Sequence, residues 1–169
     1  MSLEDDIKRV AEQERRLVFT RFDERTAWEV GEAIRSLADA ASAPLVIDVR
    51  FWDRPLYYCA LPGTSADNQD WARRKSNCVR RYGRSSFAMM LKHENDGRSF
   101  QPHHNVDNAD IAAHGGSFPI RIKDVGVVGA ISVSGVPSRH DHGFVVEGIC
   151  QQLGIAHADV ALPRDGFAG

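Results

Sequence analysis

The chain has 169 residues and a mass of 18.7 kDa, the length of one domain. A chain of this size buries enough surface to fold without disulfides or a structural metal, and 43% hydrophobic with 26% charged residues excludes a disordered composition. Its 21 basic and 23 acidic side chains leave a formal charge of -2, which excludes a uniformly basic nucleic-acid binder.

Taken in chain order, Ser2 and Asp5 have the spacing of a capping box, and Leu3, Ile7 and Val10 follow at helical steps. This predicts a first helix ending near Arg15. Residues 17–22 are β-branched and aromatic and predict a short strand. Asp23 is placed to cap a second helix, whose stripe is Trp28, Gly31, Ile34, Leu37, Ala38 and Ala41. Residues 45–51 and 56–61 read as a hairpin joined by the turn formers of 52–55. A third helix begins at Asp67 and Asn68, turns Trp71, Lys75, Cys78, Val79 and Tyr82 inward, and stops at Gly83. Ser85 caps a shorter helix with Phe87, Met90 and Leu91, and residues 95–106 read as a polar loop. Residues 117–121 and 126–134 are the last strands, turning near Lys123 and Asp124. Ser138 and Asp141 repeat the capping-box spacing before a helix with Val145, Val146, Ile149, Cys150 and Leu153, which stops at Gly154. Residues 156–169 read as a loose tail. Paired hairpins between helices predict an α/β chain of the α+β type, an antiparallel sheet of about five strands flanked by helices. No repeat or linker divides it, so residues 1–169 are expected to form a single domain.

No stretch is apolar enough to span a bilayer, and the acidic N-terminus lacks the apolar segment of a signal peptide. Cys59, Cys78 and Cys150 are odd in number and form no C-x-x-C pair, so reduced thiols in a cytoplasmic protein are expected. Nucleophile-elbow, Walker A and dinucleotide-binding patterns are absent from the sequence.

The charge is uneven. Residues 71–84 hold Arg73, Arg74, Lys75, Arg80, Arg81 and Arg84 with no acid, whereas the first 40 residues carry ten acidic and seven basic side chains. A basic helix either attracts an anion or is a solvated face paired with acidic neighbours. Lys75 differs from the rest because it lies on the apolar stripe, where it either snorkels out or points into a cleft. Among the seven histidines, His140 and His142 would converge only in a strand, so no metal site is assigned. His114 precedes Gly115 and Gly116, a backbone able to approach a ligand or form an anion nest, or simply to turn tightly into a strand. His142 follows Asp141 in the first turn of a helix, where free N–H groups favour an anion. Asp48 either alternates out of its strand's apolar face or is buried at the sheet centre.

The blocks 113–120 and 126–135, followed by Asp141 and His142, closely resemble the heme-degrading domain family of GlcG-like and HbpS-like proteins. Gly63, Thr64, Asp67, Asn68, Trp71, Lys75, Ser85, Ser86 and Phe87 look like one uncharacterised branch of it. The resemblance covers about residues 5–155. It implies a profilin-like antiparallel sheet, homo-oligomers, and the binding of heme or another tetrapyrrole found in some members. The leading reading is therefore a small-ligand-binding domain, taking heme or another anionic ligand at Lys75, His114, Gly115, Gly116, Asp141 and His142. Two alternatives stay open. One is a homo-oligomeric assembly protein whose acidic N-terminal section meets the basic helix of a neighbouring subunit. The other is an enzyme in which Asp141 and His142 do acid–base work on a small anion held by Lys75.

Overall fold

The computed structural model describes residues 2–163. Helix α1 (Leu3–Arg16) opens on the expected capping box, with the Asp5 carboxylate accepting from the Ser2 N–H at 3.0 Å. Helix α2 (Glu24–Ala40) is capped by Asp23, whose carboxylate accepts from the Thr26 N–H at 2.8 Å. Strands β1 (Val46–Phe51) and β2 (Arg54–Ala60) form the first hairpin. Helix α3 (Ala66–Tyr82) stops at Gly83, which has φ 64°, and α4 (Ser86–Asp96) is capped by Ser85. Strands β3 (Ser117–Ile122) and β4 (Gly126–Ser134) form the second hairpin, followed by α5 (Ser138–Leu153).

The sheet is antiparallel in the order β2-β1-β4-β3. It has four strands, where about five were expected. The missing one is residues 17–22, which make a single parallel bridge from Phe19 to Ile122. Leu17, Phe19 and Phe22 are all buried, and that spacing breaks the two-residue alternation a strand needs. The segment instead covers the β3 edge.

Both faces of the sheet are covered. Ile47, Val49, Phe118, Ile120, Ile131 and Val133 meet Val30, Ile34 and Ala38 of α2 and Val145, Val146 and Ile149 of α5 in the main core. Gly31 lets α2 close on Tyr57, since a Cβ there would lie 2.4 Å from the ring. The alternate strand positions face α3 and are more polar: Asp48, Ser132, Ser134 and Ser117 are buried with Ala72 and Ser76 of α3. Asp48 therefore sits inside the sheet, and Arg50, two residues on and on the same face, pairs with both its oxygens at 2.6 and 2.8 Å.

Three further expectations change. Trp28 lies outside the core, 51% exposed, with the Arg25 guanidinium over its ring. Helix α5 has Pro137 rather than Ser138 at its cap, which frees Asp141 for other partners. The tail is docked as far as it is described: Val160 and Leu162 are buried, and the Pro163 carbonyl accepts from Arg139 at 3.0 Å. The rest of that expected tail, residues 164–169, lies outside the described residues.

Candidate functional site

The chain enters β3 through Gly115 and Gly116, and α3 and the first turn of α5 close on that entry. Lys75 of α3 reaches inward to Asp141 of α5, with Nζ 2.7 Å from Oδ2 and both side chains nearly fully buried. The Lys75 ammonium also donates to the Val133 carbonyl at 3.3 Å, and Asp141 Oδ1 accepts from the Val136 N–H at 3.1 Å. Burial pushes the Asp141 carboxyl up to about 6, against the opposing pull of Lys75.

Gly116 has φ 127°, a region that L side chains rarely adopt, and a Cβ there would lie 2.5 Å from the Val133 oxygen and 2.8 Å from Lys75 Nζ. A Cβ on Gly115 would lie 2.1 Å from the Ser138 carbonyl oxygen. Protein atoms fill the space that both glycines leave, so the close approach is made by α3 and α5. Four of the sequence candidates, Lys75, Gly115, Gly116 and Asp141, are thus brought together in a buried clamp joining the two helix layers.

His142 turns away from Asp141. Its ring is fully buried, 4.7 Å from the Phe87 ring and 6.0 Å from the Phe118 ring between centroids. Gln13 donates its amide N–H to the Val160 carbonyl at 2.8 Å, so its oxygen must accept from His142 Nε2 at 2.7 Å. That assigns the proton to Nε2 and leaves Nδ1 with no partner among the described residues. Burial, assisted by Arg139, pushes the imidazole down to about 3, so it stays neutral. Asp141 and His142 therefore serve separate networks.

His114 is the sequence candidate that reaches solvent. Its ring meets Trp71 edge-on at 4.9 Å, and the Arg74 guanidinium covers the Trp71 ring at 4.0 Å. Although the residue is exposed, its ring is partly desolvated where Trp71 meets it. That desolvation, then the charges of Lys75 and Arg74, lower its pKa and favour the neutral imidazole.

The basic run on α3 is largely paired within the chain. Arg73 binds Asp70 and Asp110, Arg74 binds Asp70, and Arg81 donates to the His104 carbonyl. Arg84, just beyond the end of α3, pairs at 3.1 Å with Glu14 of α1, so this one cation of the basic run is met by the acidic N-terminal section of the same chain. Reading residues 95–106 as a plain loop missed a groove between that loop, α3 and α4. The available signal was Phe100, an aromatic in a polar stretch between Arg98 and a His-His pair.

The family model described as "Haem degrading protein HbpS-like" matches residues 22–150. UPF0303 protein mlr5144 of Mesorhizobium japonicum is 47% identical over 165 residues, covering 98% of this chain and 99% of the relative. A UPF0303 protein of Acidobacterium capsulatum is 46% identical over 164 residues, covering 97% and 99%. Among solved structures, the Ybr137w protein superposes with a TM-score of 0.76 at 25% identity, over 89% of this chain and 87% of the other. The PduOC:heme complex gives 0.66 at 11% identity, over 83% and 99%, which is a likeness of fold alone.

Proposed function

The chain belongs to the HbpS-like haem-degrading family, and we propose that it is a small-ligand-binding domain that meets an anionic ligand of the heme class through His114. The observation that carries this is His114, an exposed residue whose neutral imidazole meets Trp71 edge-on, two positions before the Gly116 that packs on the buried Lys75–Asp141 pair. A neutral imidazole is the form that ligates iron; Arg73 and Arg74 lie nearby but are already paired with Asp70, so an anionic ligand would have to compete for them. Of the two candidate histidines, His114 is the one a ligand could reach, whereas His142 does not fit the group, because it is buried and hydrogen-bonded to Gln13. Bound heme would supply an iron centre. The chain's part is to present His114, with Lys75, Asp141, Gly115 and Gly116 fixing the backbone behind it. The heme-bound neighbour PduOC supports this reading through its fold.

Titrating the apo protein with hemin tests it. A saturable Soret shift is expected, lost in His114→Ala and kept in His103→Ala. No saturable shift, or one that His114→Ala leaves unchanged, overturns it.

One observation favours homo-oligomeric assembly as a second reading. The outer edge of β2 carries no further strand among the described residues, and Arg54, Pro55, Tyr58 and Ala60 along it are exposed. Light scattering over a series of protein concentrations tests it, and a strictly monomeric mass throughout would refute it. The acid–base reading has no such support, because Asp141 and His142 face different partners.

A further inference from the structure

We propose that the groove between the C-terminal end of α3, α4 and the following loop is a second ligand site, specific for a small flat aromatic carboxylate. Phe100 is its centre. The Tyr82 ring lies nearly parallel to it, with an interplanar angle of 13° and centroids 5.8 Å apart, and His93 meets it edge-on at 4.5 Å. His104 approaches it at 6.4 Å, with a ring fixed by the Gln101 N–H, which donates to Nδ1 at 2.8 Å. The proton of neutral His104 is then on Nε2, which makes that atom a donor. The cavity these residues line measures about 320 Å³. Small-molecule sites run from roughly 300 to 1,000 Å³, so this one suits a one- or two-ring molecule rather than a tetrapyrrole.

Charge sets the ligand's polar end. Three cations line the groove, and two are already committed: Lys92 to Asp96, and Arg84 to Glu14. Arg98 lies two positions from Phe100 and forms no ion pair among the described residues, although its charge adds to that of Lys92 in lowering the Asp96 carboxyl. Its guanidinium matches a carboxylate through two parallel N–H donors, while an aromatic ring packs on Phe100 and Tyr82. A single anionic group matches the one lining cation that makes no ion pair, whereas Asp96 in the lining disfavours a dianion.

The site is separate from the His114 surface. Trp71 and Tyr82 are both on α3, eleven residues and so roughly 16 Å apart along its axis. The two proposals therefore fail independently.

The test is an NMR titration of the full-length, nitrogen-15-labelled protein with 1-naphthoate. Saturable amide shifts are expected at Tyr82, His93, Arg98 and Phe100, with His114 and Trp71 unmoved. Arg98→Gln, at an exposed position, should weaken the affinity about tenfold. The uncharged 1-naphthylmethanol should bind wild-type protein as weakly as naphthoate binds that variant. Absence of saturable shifts, shifts centred on His114, or an affinity unchanged by Arg98→Gln would each overturn the proposal.

Discussion

Replacing Lys75 by Met removes the ammonium from the buried clamp while keeping most of the side-chain volume. The pair is 2.7 Å apart, with side chains only 3% and 2% exposed, so solvent screens it little. At an effective dielectric constant of about 20, the attraction at that distance is roughly 6 kcal/mol. Part of this returns in the variant, because Asp141 takes up a proton and keeps the Val136 N–H. The expected loss at pH 7.5 is about 3–5 kcal/mol, a large fraction of the roughly 5–15 kcal/mol of a typical domain. Its pH dependence has a definite sign. Burial already holds Asp141 at about 6, above the value in an unfolded chain. In wild-type protein this group alone therefore favours folding at acid pH, and the contribution fades as pH rises through 6. Without Lys75 the carboxyl rises further, and once protonated it needs no counter-charge, so the variant's deficit shrinks at pH 5.5. The double variant Lys75→Met with Asp141→Leu should regain most of the loss. Urea unfolding followed by tryptophan fluorescence at both pH values measures all three proteins. A single-variant loss below about 1 kcal/mol at pH 7.5, or a double variant no more stable than the single, would refute the clamp.

His142 makes the opposite pH prediction. Its folded pKa is depressed to about 3, so the unfolded chain binds a proton that the folded chain refuses. Its stabilisation is complete above about pH 6.5 and is lost by roughly 1.4 kcal/mol per unit as pH falls towards 3. His142→Phe should cost about 1–3 kcal/mol at pH 7, by stranding the Gln13 oxygen, yet flatten the acid limb of stability against pH. An acid limb as steep as wild type would show that His142 is not its source. Gly116→Ala should destabilise by about 2–4 kcal/mol, because both φ 127° and the contact with Val133 oppose a side chain. Gly154→Ala, at φ 66° with open space around it, should cost only about 1 kcal/mol. Thermal melts of the two side by side check the contrast, and equal losses would contradict it.

What could be read from the sequence follows the range of the interaction that sets each feature. Helix ends are local: Ser2 with Asp5, Asp23 and Ser85 at starts, and Gly83 and Gly154 at stops, act within a few residues and fall where the sequence places them. Residues 17–22 have strand composition, but their backbone role depends on a partner at Ile122, and composition does not report that partner. Lys75 stood out as a lysine on an apolar stripe. Its counter-ion is 66 residues away, so the choice between snorkelling and burial was open until the two helices met. Asp48 was equally ambiguous, and it resolves because Arg50 shares its face of β1. His142 misled for a physical reason. A histidine in the first turn of a helix suits an anion only if the ring faces solvent, and here Phe87, Phe118 and Gln13 enclose it.

The residues that carry the family resemblance therefore explain the scaffold better than they explain a ligand. Gly115 and Gly116 admit α3 and α5, Lys75 and Asp141 tie those helices together, and His142 reaches through Gln13 to Val160. A buried constellation of this kind can support one fold under many surfaces. Ligand choice must then lie with side chains that the clamp positions but does not contain. On one side of α3 these are His114, Trp71 and Arg74. At its far end they are Tyr82 with Arg98 and Phe100 of the loop beyond α4. Substitutions in the clamp should change stability first and binding only through it, whereas substitutions at His114 or Arg98 should change binding in a protein as stable as wild type.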